Sequence, residues 1–263
     1  MITSAQNSKL KLARSLMGRP KERLMARAFV AEGVRLVEEA LSTGWPVRYA
    51  LYTAEISARG RELVEKLGAN GVEVDQVPEM LLNAVSETET SQGLLAVLDY
   101  SPLALPGSLN FAFIADSIRN PGNLGTLLRT AAAAGVQAVF LPPETTDAFA
   151  PKVLRAGMGA HFRLPIHSLN WDEIRGATRA LKIYLADMQG SPCWQTDFSL
   201  PLALIVGGEA EGASEDARRL ADGTVSIPMP GQVESLNAGV AGAVLMFEVV
   251  RQRKLGEKMF PEN

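Results

Sequence analysis

The stretch NFAFIADSIRNPGNLGTLLRTAAAAGVQAVFL, Asn110 to Leu141, decides the fold. It opens on an apolar run, Asn110 to Asp116, of strand length. SIRNPGN follows, dense in the Asn, Pro and Gly that mark a turn. A helix is expected from Leu124 to Ala134, with Gly135 as its stop. VQAVFL, Val136 to Leu141, is the next strand. Strand, turn, helix and strand make a βαβ unit, which implies a parallel sheet with helices on its faces.

The pattern extends downstream. Strands are expected at Lys182–Met188, Leu202–Gly208 and Val225–Met229, and helices over 172–181 and 214–221. A last helix should begin near Leu236 and run to about Lys254. Upstream lies a separate α/β unit of about 100 residues. Helices are expected over 3–17, 30–43, 60–71 and 79–86, and strands over 48–54, 72–78 and 93–100. Val30, Val34, Val37 and Leu41 recur at helical spacing in the second of these helices. SPLALPG, residues 101–107, has two prolines and no charge, so it reads as the boundary. The domains expected are therefore 1–100 and 108–263.

Of the 263 residues, 47% are hydrophobic and 21% charged, as in a globular protein with a buried core. No apolar stretch reaches the roughly 18 residues of a membrane span, and no secretory signal opens the chain. One cysteine, Cys193, excludes an intrachain disulfide and points to a reducing, cytoplasmic setting. Two histidines and that cysteine supply no metal cluster. His161, with no carboxylate or nucleophile beside it in sequence, reads as structural. The net charge is −3, yet residues 1–35 carry eight basic side chains against Glu22 and Glu32. A locally basic segment suits phosphate contact whatever the total, although a solvated helix surface would look the same.

Three turns carry the polar residues of a ligand site: NPGNLGTLLRTAAAAG (Asn120–Gly135), IVGGEAEG (Ile205–Gly212) and IPMPGQVESLNAGVAGAVLMFEVV (Ile227–Val250). In the first, Gly122 and Gly125 permit close backbone approach. Asn123 is a plausible helix cap, and Arg129 a clamp for phosphate or carboxylate. Asn123 could merely cap, and Arg129 could make a surface ion pair. GGEAEG leaves the end of a strand, where α/β sheets put ligands. Glu209 could bind a ligand or tie two loops together. Ser235 and Asn237 flank a helix start, and Ser235 could simply cap it. The helix beyond has Gly239 and Gly242 three positions apart, which suggests that another backbone passes close. No dinucleotide fingerprint, phosphate loop or serine-hydrolase elbow is present.

NPGNLGTLLRTA, GGEAEG and IPMPGQVESLNAGVA, in this order, resemble the motifs of the SpoU/TrmH family of RNA ribose 2′-O-methyltransferases, within the SPOUT superfamily. The resemblance spans residues 110–254. The segment QNSKLKLARSL…RLMARAFVAEGVRLVEEAL also looks like the ribosomal-protein-like substrate-binding domain of many members. The resemblance implies a parallel-sheet domain threaded into a trefoil knot, working as a homodimer. It implies S-adenosylmethionine as cofactor, held largely by backbone at Gly207, Gly208, Ile227, Met229 and Leu236. The implied catalytic set is Arg129, Asn123, Glu209, Ser235 and Asn237. RNA would be held by Lys9, Lys11, Arg14, Arg23 and Arg129. Arginine keeps its proton, so stabilising negative charge on the 2′-oxygen suits Arg129 better than acting as a base. Large-subunit ribosomal RNA is the substrate expected from the appended domain. Transfer RNA, or a catalytically silent RNA binder, is the alternative.

Overall fold

The structure, a computed structural model, describes residues 1–87, 91–208, 212–231 and 234–256. The chain forms two compact units: Met1–Ser101 with Asp147–Phe162, and Pro102–Thr146 with Arg163–Asn263. The cut is thus not confined to one linker at 101–107, because a later segment joins the first unit.

In the first unit, α1 (Ser8–Gly18) starts at Asn7, whose side chain accepts the Lys9 N–H at 2.9 Å. This satisfies one of the donors that every helix start leaves over. The chain turns at Arg19 into α2 (Pro20–Ala26), with Pro20 at the first position, where no N–H is needed. It leaves α2 through Arg27 in the left-handed region, at φ 47°. There follow β1 (Ala28–Glu32), α3 (Val34–Ser42), β2 (Val47–Tyr52), α4 (Ala58–Ala69), β3 (Glu73–Gln76), α5 (Glu79–Asn83) and β4 (Leu94–Asp99). The sheet order is β1-β4-β2-β3, with β2 and β3 parallel and the other pairs antiparallel.

Two helix expectations need correction here. The helix expected over 3–17 begins only at Ser8. That expected over 30–43 begins at Val34, and Val30 lies in β1, whose five residues are all buried. Gly33, at φ +96°, makes the turn between them. Val30 precedes Val34 by four residues, so a strand residue mimicked a helical repeat.

The second unit starts with β5 (Phe111–Ala115), α6 (Pro121–Ala133) and β6 (Ala138–Leu141). The chain then contributes α7 (Pro151–Gly157) to the first unit. It returns as β7 (Ile166–Ser168), α8 (Trp171–Thr178), β8 (Lys182–Pro192), β9 (Leu202–Val206), α9 (Glu215–Leu220), β10 (Gly223–Ser226) and α10 (Ala238–Gly256). All six strands are parallel, in the order β10-β8-β9-β5-β6-β7. From β5 the chain moves through α6 to β6; from β9 it moves through α9, past β8, to β10. The winding therefore reverses between β5 and β9. The crevice beyond the C-terminal ends of two such strands is where open parallel sheets bind ligands.

Segment 147–162 completes the first unit's core. Phe149 lies 4.8 Å from Phe29, and Phe162 lies 5.3 Å from Trp45, ring to ring. Arg23, though charged, is only 6% exposed. Its guanidinium donates to Asp147 Oδ2 at 2.6 Å and to the Leu16 carbonyl at 2.5 Å. His161 is fully buried, with Nε2 2.8 Å from the Ala148 carbonyl. Burial pushes its pKa down to about 4, outweighing the carbonyl and Asp147, which act the other way.

Candidate active site

Beyond β9 and β10 lies a cavity of about 620 Å³, within the range of small-molecule sites. Gly207, Gly208, Ile227, Met229 and Leu236, the five positions implied to hold the cofactor, all line it. Gly207 is there because nothing larger fits. A Cβ on it would stand 2.6 Å from the Ala213 nitrogen and 2.7 Å from the Gly212 carbonyl carbon. A Cβ on Gly208 would stand 2.5 Å from the Ser117 carbonyl oxygen. Two strand-end loops thus pass each other backbone to backbone. Ser117 itself adopts φ 54°, and Asp116 beside it is buried. The Asp116 carboxylate accepts the Ser214 N–H at 2.7 Å, tying the start of α9 to the end of β5. Sequence reasoning passed over Asp116, although a carboxylate at the last step of an apolar strand is a signal of such a tie.

The cap of α6 is Asn120, not Asn123. The Asn120 side chain accepts the N–H groups of Gly122 and Asn123 at 2.8 and 3.2 Å. Asn123 is the third residue inside the helix, and its Oδ1 accepts Nδ2 of Asn237 at 3.0 Å. Asn237 in turn caps α10: its Oδ1 takes the N–H of Gly239 at 2.9 Å and of Val240 at 3.3 Å. One amide therefore starts α10 and pins it to α6. Ser235 lies on the cavity wall, two residues before this cap, and is exposed.

The glycines of α10 accommodate side chains rather than a crossing backbone. A Cβ on Gly242 would collide with Leu127 Cδ2, and one on Gly239 would come within 3.3 Å of Thr126 Cγ2. They let α10 lie close on α6. Arg129 sits on the exposed stripe of α6 that also carries Gly122 and Thr126, and it does not line the cavity. Among the described residues it makes no ion pair. Glu209 lies outside the described residues. On the cavity wall Asp187 receives the Gln189 N–H at 2.9 Å and Arg218 at 2.9 Å. These two contacts, the backbone one first, hold its carboxyl below the ordinary range.

The expected RNA contacts divide. Lys9 is held between Asp75 and Glu73, each at 2.5 Å, and Arg23 is buried on Asp147. Lys11 and Arg14 are exposed on α1. No group of His, Cys, Asp and Glu among the described residues could hold a metal, and no described helix is long and apolar enough to cross a membrane.

Residues 110–247 match the model of the SpoU rRNA Methylase family. The chain belongs to that family. Residues 7–96 match the MRM3-like substrate binding domain. This SpoU chain is 35% identical to the 23S rRNA (guanosine(2553)-2'-O)-methyltransferase RlmP of Bacillus subtilis, over 94% of its own length and 98% of the relative's. It is 31% identical to the 23S rRNA (uridine(2479)-2'-O)-methyltransferase of Streptomyces viridochromogenes, covering 97% and 93% of the two chains. Its structure resembles that of the SpoU methyltransferase AviRb from the same organism in complex with AdoMet, with a TM-score of 0.85 and 30% identity over 95% of this chain and 99% of that one.

Proposed function

We propose that this SpoU-family protein methylates a ribose 2′-hydroxyl of large-subunit ribosomal RNA with S-adenosylmethionine. The observation that carries the reading is the cavity beyond the ends of β9 and β10. All five implied cofactor positions line it, and its rim holds Ser235 and Asn237. The residues fit the cofactor: Ile227, Met229 and Leu236 offer an apolar wall to a base, and side-chain-free Gly207 and Gly208 let neighbouring backbone pack close behind that wall. When bound, the cofactor supplies an electrophilic methyl on sulfur. The relatives named above are 23S rRNA 2′-O-methyltransferases, which favours ribosomal over transfer RNA.

Arg129 then stabilises the charge that develops on the 2′-oxygen and grips a neighbouring phosphate. Its exposure leaves the guanidinium open to RNA. Asn237 is better read as a positioning residue than as a ribose ligand, since its amide caps α10 and holds Asn123. Ser235 is the group free to orient the ribose. Glu209 is assigned to tying the motif loops. The protein works as a cytoplasmic homodimer in this reading. Val240 and Phe247, on one stripe of α10 and each 48% exposed, provide an apolar face for a second copy.

The test is methyl transfer from labelled S-adenosylmethionine to unmodified ribosomal and transfer RNA, followed by mapping of ribose methylation. Label at one 2′-oxygen of large-subunit RNA is expected. Label confined to transfer RNA overturns the substrate, and cofactor binding without label in either RNA overturns the enzyme reading.

A further inference from the structure

The first unit carries a charged surface that the site above does not use. From Met1 to Ala31 the only acidic residue is Glu22. Of the seven basic ones, Lys9 and Arg23 are spent on carboxylates within the unit. The other five, Lys11, Arg14, Arg19, Lys21 and Arg27, are exposed. Among the described residues none of the five makes an ion pair. Their placement follows from helix geometry. Leu10, Ala13, Leu16 and Met17 turn α1 toward the core, which leaves Lys11 and Arg14, three apart, on the outward stripe. Arg19 is the single residue between the helices, and Arg27 leaves α2 in the left-handed region.

On α2 the outward residues include two that are not charged. Leu24 is 77% and Met25 69% exposed, three and four positions after Lys21 and so on its stripe. Two large apolar side chains stand in water amid cations, with most of their surface unburied. Cations flanking an apolar tip match a single-stranded nucleic acid, which offers both phosphates and unstacked base faces. A partner protein that matched the apolar pair would have to be acidic all round it.

From this we infer that the outer faces of α1 and α2 are the RNA-docking surface of the first unit. The cations contact phosphates, and Leu24 and Met25 pack against unpaired bases. This rests on the RNA-methylation reading and deepens it, replacing Lys9 and Arg23 by Arg19, Lys21 and Arg27.

The experiment measures the Kd of the full chain for unmodified large-subunit RNA fragments across salt concentrations, with methyl-transfer kinetics alongside. In the variant K11Q/R14Q/R19Q/K21Q/R27Q the slope of log K against log salt should fall by about 3, since each single-strand phosphate contact contributes roughly 0.7. Kd should rise at least about 100-fold near 0.1 M salt, KM for RNA should rise with it, and kcat and cofactor affinity should hold. The control K66Q/R175Q/R179Q, on α4, on α8 and just past the end of α8, should leave the slope unchanged. L24S/M25S should raise Kd about tenfold with the slope intact, as lost apolar packing against a base of about 1.4 kcal/mol would. Unchanged slope and Kd in the five-fold variant overturn the inference while a methylating wild type keeps the function. A wild type that binds RNA through these cations but transfers no methyl overturns the function and keeps the surface. An unchanged Kd in L24S/M25S overturns the base contact and assigns that pair to a protein.

Discussion

Gly207→Ala tests whether the cavity is shaped by backbone crowding. The added Cβ would sit 2.6 Å from the Ala213 nitrogen and 2.7 Å from its Cα, where ordinary contact begins at 3.4 Å. The strand end or the returning loop must therefore move by about 0.8 Å. Neither obstacle is a side chain that could swing away. Overpacking of this kind costs roughly 1–3 kcal/mol. Gly207 and Ala213 both line the cavity, so the displacement falls on the cofactor's walls. At about 1.4 kcal/mol per decade, affinity for S-adenosylmethionine should drop roughly 5- to 150-fold. Titration calorimetry reads this directly, and thermal unfolding without ligand separates lost affinity from lost fold. A Gly207→Ala protein that binds the cofactor as well as the wild type, at unchanged Tm, would refute the crowding argument.

Arg129→Ala should keep cofactor affinity and lower kcat about 100-fold or more, the usual loss when a donor to a developing oxyanion is removed; single-turnover methyl transfer checks it. Asn123→Ala and Asn237→Ala should couple by about 0.5–1.5 kcal/mol in a double-mutant cycle of urea unfolding, and Asn237→Ala alone should cost about 1 kcal/mol more for the lost cap. His161 gives a pH dependence. The unfolded chain takes up a proton near pH 6.5, whereas the folded one takes it only near 4, so stability is full above 6.5 and falls as pH drops through that window. The gap corresponds to as much as ~3 kcal/mol, and His161→Phe should flatten this part of the urea-midpoint profile.

The central strands of the parallel sheet were readable as apolar runs closed by turns, as Asn110–Asp116 is by Asn120, Pro121 and Gly122, whereas β7, only Ile166–Ser168, gave no such signal. The strand β1 was not, because FVAE is buried on both faces and shows no alternation. Asn120 and Asn123 compete for one cap, and Pro121 at the first helical position was the deciding signal. Gly239 and Gly242 announce close packing, but Thr126 and Leu127, which pack there, lie more than a hundred residues away in the chain. Lys9 and Arg23 looked available because Asp75 and Asp147 lie 66 and 124 residues away in the chain.

The first unit's dependence on residues 147–162 has a bearing on biosynthesis. When the ribosome has delivered Ser101, Arg23 still lacks Asp147, and Phe29 and Trp45 still lack Phe149 and Phe162. Chain emerges at roughly 5–20 residues per second, so the nascent unit waits several seconds, with part of a later fold already extruded, before its closing segment arrives. A gene cut at residue 101 would encode a protein missing its last piece, and an isolated RNA-binding fragment has to be built with that segment joined back on.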